Sequence, residues 1–166
     1  MRDKFPIAFF WHMHQPMYKD LVTGKYALPW VRLHATYSYM DMAAILYDFP
    51  DIKCTFNLTP SLIWQLLDVS SEGTIDDTYL ELSSKQASEL TDNDKCFLLK
   101  NFFSCDPNNA ISSFKKYAEL FSKREGSLKE QDLLIKSRKF TVAEFRDLQV
   151  LFNLAWCGFT LKKKIP

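Results

Sequence analysis

Two strand-like runs, residues 6–14 and 52–58, are separated by a stretch with helical spacing over 31–48. That order constrains the chain more than any other feature. Ile7, Ala8, Phe9, Phe10 and Trp11 are continuously apolar, the pattern of a strand buried on both faces. Val31, His34, Ala35, Tyr39, Met42, Ala43, Ile45, Leu46 and Phe49 recur at three- and four-residue steps, and Pro50 stops them. Residues 52–58 are rich in branched and aromatic side chains. A crossover this long makes the two strands parallel neighbours, and such units are right-handed. Thr59-Pro60 then opens another helix, with threonine as N-cap and proline in the first turn.

The rest reads as helix: 76–90, 92–103, 111–124, 128–137 and 142–157. Thr74 to Asp77 and Thr141 to Glu144 both have capping-box spacing. Residues 70–73 read as a loop, and no third strand is evident. The fold class expected is therefore α/β, with a strand–helix–strand–helix start over 1–69 and a mostly helical second half over 70–166. Two parallel strands do not make a stable parallel sheet, which needs several strands with helices on both faces. The expectation is the opening part of a larger domain. The alternative is a self-contained, mostly helical protein.

Composition narrows the function classes. The net charge is +1, with 21 basic and 20 acidic residues, so no field gathers nucleic acid or an anionic membrane. Lys162-Lys163-Lys164 is the one basic cluster and reads as a solvated tail. The apolar run at 7–11 is too short for a signal-peptide core or a membrane span. Cys54, Cys96, Cys105 and Cys157 form no C-x-x-C pair, and three of them sit in apolar surroundings. They fit a reducing, cytoplasmic setting. Aromatic residues reach 15 %, which suits a core and also suits sugar-stacking platforms.

Candidate chemistry starts where the first strand ends. His12 and His14 are two residues apart, so on a strand they point to one face. Three readings stand. They are metal ligands, or hydrogen-bonding groups for a neutral polar substrate such as a sugar, or satisfied histidines without a ligand. Asn57 ends the second strand and would face the same mouth, or else cap the next helix. Trp30 is either a stacking platform or a core anchor, and Arg32 is placed to pair with a carboxylate. His34 is the third histidine. No paired carboxylates stand at strand ends, and there is neither a glycine-rich phosphate loop nor a nucleophile elbow.

The run Phe10-Trp11-His12-Met13-His14-Gln15-Pro16 resembles the first motif of glycoside hydrolase family 57. The similarity continues through Leu28-Pro29-Trp30-Val31-Arg32-Leu33-His34-Ala35, Tyr39-Met40-Asp41-Met42 and Thr55-Phe56-Asn57-Leu58-Thr59-Pro60-Ser61-Leu62. Phe152-Asn153-Leu154-Ala155-Trp156 resembles a stretch of the longer, amylopullulanase-like members.

The resemblance implies an incomplete seven-stranded (β/α) barrel followed by a helical region. It implies retaining cleavage or transfer of α-glucan chains, with a glutamate nucleophile and an aspartate acid roughly 5 Å apart. It places His14, His12 and Gln15 at the sugar-binding cleft. Trp30, His34 and Asn57 complete the candidate substrate-binding set. It requires neither metal nor cofactor, and it implies α-glucan or maltooligosaccharide as the bound partner.

The motifs carrying the two carboxylates are not found in this sequence, and Tyr37 and Ser38 replace a more polar, lysine-containing pair. The expectation is an N-terminal fragment, inactive alone, with a C-terminal partner chain completing the barrel. The alternatives are a metal-dependent hydrolase fragment using His12 and His14, and a non-catalytic carbohydrate-binding or scaffold protein.

Overall fold

The computed structural model describes residues 5–71 and 77–164. Among these the chain is mostly helical with one small sheet. Strand β1 (Phe9–Met13) pairs in parallel with β2 (Cys54–Leu58), as the crossover length requires. The register sets Phe9 opposite Cys54, Trp11 opposite Phe56 and His12 opposite Asn57.

The crossover is one helical rod with a fault in it. Helix α1 (Trp30–His34) passes into a π-turn at Ala35–Tyr39 and on into α2 (Met40–Asp48). Helix α3 (Pro60–Ser70) follows β2, with Thr59 at the N-cap and Pro60 in the first turn. The later helices are α4 (Thr78–Ser84), α5 (Asp92–Asn101), α6 (Lys115–Lys123), α7 (Glu130–Ser137), α8 (Val142–Ala155) and the short α9 (Phe159–Lys162).

Two compact units share the chain: one runs to Asp77 and resumes at Gly158, the other is Thr78–Cys157. In the first, Met13, Val31 and Leu62 are buried together, with Tyr39, Met42 and Phe56 packed against them. In the second, Phe102 and Phe152 stack with centroids 4.4 Å apart, and Tyr79 stacks on Phe102 at 5.8 Å. Leu98, Leu99, Tyr117, Leu120, Phe145 and Leu148 fill out that core.

Several expectations are corrected. The apolar run of β1 is not buried on both faces: Phe9, Phe10 and Trp11 are 54, 64 and 47 % exposed, and only Met13 of the strand is buried. Phe10 lies on the sheet face away from α2, and Phe9 and Trp11 lie on the face toward α2, which that helix covers only in part. The helix expected over 76–90 stops at Ser84 and is followed by a short 3₁₀ turn at Ala87–Glu89. The Gln149 side-chain amide donates to the carbonyls of Leu82 and Lys85, satisfying the helix end there. The helix expected over 111–124 is a π-turn at Pro107–Ile111, a break, then α6.

The capping box at Thr141 forms, with Glu144 as its second member. A further box forms at Thr91 and Asp94. Thr74 lies outside the described residues. All four cysteines are half-buried and unlinked. No helix among the described residues is long and apolar enough to cross a membrane.

Candidate functional site

Side chains alternate across the sheet. Phe9, Trp11, Cys54 and Phe56 face α2, where with Met42, Ile45 and Leu46 they line an apolar cleft of about 250 Å³. Phe10, His12, Thr55 and Asn57 therefore share the opposite, exposed face. His14, one residue past the end of β1, is exposed too.

His12 Nδ1 lies 2.7 Å from Asn57 Oδ1. The His12 and His14 rings are near parallel, with centroids 6.0 Å apart. Asn57 thus serves a histidine; the cap position of α3 belongs to Thr59.

The chain after His14 is pinned to α3. Ser61 Oγ donates to the Gln15 carbonyl at 2.9 Å, and Gln65 Nε2 donates to the Pro16 carbonyl at 2.9 Å. The Tyr18 amide donates to Gln65 Oε1 at 2.8 Å. Gln65 is fully buried, and its side chain meets its hydrogen-bonding needs by fixing this loop. The Gln15 side chain is held at both ends. Its Nε2 donates to Tyr39 Oη at 3.1 Å, and its Oε1 accepts from Tyr18 Oη at 3.0 Å.

Sequence reasoning did not single out Gln65, Ser61, Tyr18 or Tyr39 as site residues. Gln65 did carry a signal, as a polar residue among Leu62, Ile63, Leu66 and Leu67.

The remaining candidates stand on the crossover rod. His34 is half-buried; its Nδ1 lies 3.2 Å from Ser38 Oγ and its ring centroid 5.9 Å from that of Tyr39. Burial pushes its pKa down, since the charged imidazolium loses solvation. His34 thus meets Tyr39, which in turn meets Gln15. Trp30 opens α1, half-buried, after the buried Pro29. Arg32 does pair with a carboxylate: its Nε donates to Asp77 Oδ2 at 2.9 Å and its Nη2 to Asp77 Oδ1 at 3.3 Å.

The edge gathers imidazole and amide groups, which donate to and accept from hydroxyls without changing charge. Among the described residues no carboxylate hydrogen-bonds to His12, His14, Gln15 or Asn57. Nor is there among them a cluster of three or more His, Cys, Asp or Glu able to hold a metal ion, so a site built on the two histidines would need ligands from elsewhere.

No curated protein and no solved structure matches this chain. The family model described as glycosyl hydrolase family 57 matches residues 8–165, taking in both strands, the histidine edge and every helix described above. With that match over nearly its whole length, the chain belongs to glycosyl hydrolase family 57.

Proposed function

We propose that the edge formed by His12, His14, Asn57 and Gln15 binds a sugar ring of an α-glucan. The observation that carries this reading is the pairing of His12 with Asn57 on the exposed sheet face, with His14 stacked beside it. Family membership supplies the substrate class, since glycoside hydrolases act on carbohydrates. Trp30 and His34 belong to the same proposed set.

The chain acts in this reading as the binding part of a retaining hydrolase or glucanotransferase of the amylopullulanase-like kind. The glutamate nucleophile and aspartate acid come from strands beyond β1 and β2, in an incomplete seven-stranded barrel. Those strands belong to further polypeptide, in the simplest form a C-terminal partner chain. The exposed apolar residues of β1 support this, because a strand of that composition is made to be covered. The half-buried, unlinked thiols suit a cytoplasmic protein.

Titration with maltotetraose, followed by tryptophan fluorescence, tests the binding. We expect saturation at millimolar sugar, lost in His14→Ala, and no release of reducing sugar from starch by the chain alone. No response in the wild type overturns the sugar-binding reading. Hydrolysis by the pure chain that is lost in His14→Ala overturns the claim that the carboxylates lie elsewhere.

A further inference from the structure

An α-helix turns about 100° per residue, so residues five apart stand about 140° apart around the axis and do not meet. His34 and Tyr39 are five apart, yet their rings lie 5.9 Å from one another. The π-turn at Ala35–Tyr39 brings this about. By lengthening one hydrogen-bonded turn it rotates everything after it, and Tyr39 comes round to the face of His34. Its hydroxyl then accepts from Gln15 Nε2 at 3.1 Å.

A π-turn departs from the regular helical hydrogen-bonding pattern. A contact from far along the chain meets it here: the Gly158 amide donates to the Thr36 carbonyl at 2.9 Å. Gly158 has φ −70° and ψ 170°, a conformation open to any residue. What demands glycine is space. A Cβ at 158 would stand 2.5 Å from Asp41 Oδ2 and 2.8 Å from the Tyr37 carbonyl oxygen. The next two amides, of Phe159 and Thr160, donate to Asp41 at 2.7 and 2.8 Å. One short segment thus holds the rod on both sides of Tyr39, at Thr36 and at Asp41.

We propose that Gly158 is a positioning residue for the sugar-binding edge: seated against the π-turn, it holds Tyr39 in the register that fixes the Gln15 side chain next to His14. The part of this that concerns sugar rests on the function proposed above; the part that concerns Tyr39 and Gln15 does not.

The test uses the full chain with two readouts, the side-chain amide resonances of Gln15 without sugar, and affinity for maltotetraose. Tyr39→Phe removes the hydroxyl and marks where the Gln15 resonances go when that bond is lost. Gly158→Ala and Asp41→Asn are expected to move them the same way and to weaken maltotetraose binding by about two- to ten-fold, the range for one net hydrogen bond. If Gly158→Ala does not fold, Asp41→Asn, which keeps the shape of the side chain, decides. A Gly158 that merely stabilised the fold would lower the melting temperature and leave the Gln15 resonances in place; that result overturns the proposal. Variants whose Gln15 resonances move as expected, in a protein whose wild type does not bind maltotetraose, overturn the sugar reading and leave the positioning of Gln15 standing.

Discussion

His12 and Asn57 face each other across the two parallel strands, in register, with Nδ1 2.7 Å from Oδ1. An amide oxygen only accepts, so the proton between them belongs to the imidazole. That fixes the neutral ring as the Nδ1–H tautomer and leaves Nε2 as an acceptor. The strand pairing that builds the sheet thereby also sets the hydrogen-bonding character of the ring offered to a ligand.

Asn57→Ala should release this tautomer. We expect the ring nitrogen resonances of His12 to move toward a mixture of the two neutral forms. Maltotetraose affinity should fall by about two- to ten-fold, as for one net hydrogen bond. Ring resonances identical to those of the wild type would show that Asn57 does not set the tautomer.

Arg32 and Asp77 form a two-point ion pair, with side chains only 15 and 2 % exposed. Removing one partner of a buried pair leaves the other charge without compensation, which costs about 3–5 kcal/mol. Asp77→Ala should lower the unfolding free energy of the unit that contains it, read from urea titration, by that order. Replacing both residues with apolar ones of similar size should recover much of the loss. A loss below about 1 kcal/mol, as at exposed pairs, would mean that solvent reaches Arg32.

The legible features were local ones. The Thr141 box needs only the spacing of two side chains, and it forms as read. The parallel pairing of β1 and β2 followed from the length of the crossover between them. What stayed hidden depends on distant residues. Nothing in Ala35-Thr36-Tyr37-Ser38-Tyr39 spells a π-turn; its Thr36 carbonyl accepts from Gly158, more than a hundred residues on. The end of α4 at Ser84 is likewise served by Gln149. Arg32 advertised a need for a carboxylate, but only the fold selects Asp77. Of the site, the histidines and Asn57 could be read from strand ends and Gln65 stood out as a polar residue on an apolar helix, whereas Tyr39 could not be read.

Acid should weaken the protein in two windows. His34 has its pKa lowered by burial, so the unfolded ring, at 6.5, binds its proton first. The stability this contributes is complete above 6.5 and is lost as the pH falls from there through the folded value. Glu144 comes next. Partial burial pulls its carboxyl up, but Lys123 and the Thr141 amide and hydroxyl pull it further down, below its ordinary 4.5. Its contribution is present above 4.5 and is lost as the pH falls through the lowered folded value. Melting temperature against pH should therefore fall first through the His34 window and then through a carboxylate window that Glu144 shares with Asp41, Asp68 and Asp94, all held below their ordinary values by hydrogen-bond partners. Glu144→Gln, which still accepts but does not titrate, should make the lower fall shallower. Parallel curves for the variant and the wild type would rule Glu144 out as a source of the acid limb.

The exposed apolar surface makes the last prediction. Ile7, Phe9, Phe10 and Trp11 are 77, 54, 64 and 47 % exposed, and Ile45, Tyr47, Phe49 and Ile52 near the other strand are 54, 88, 54 and 52 % exposed. A strand with unpaired backbone groups and a row of uncovered rings is a template for another strand. A net charge of +1 offers little repulsion to hold copies apart. The purified chain should therefore self-associate, with a sedimentation coefficient that rises with concentration over the micromolar range. Phe9→Lys puts a charge into the apolar surface that Phe9 shares with Trp11, Ile45 and Ile52, and it should shift the population toward monomer by raising the cost of burying that surface. A wild-type chain that sediments as a single monomer at all concentrations, and melts cooperatively, would mean that the uncovered strands do not govern its behaviour in solution.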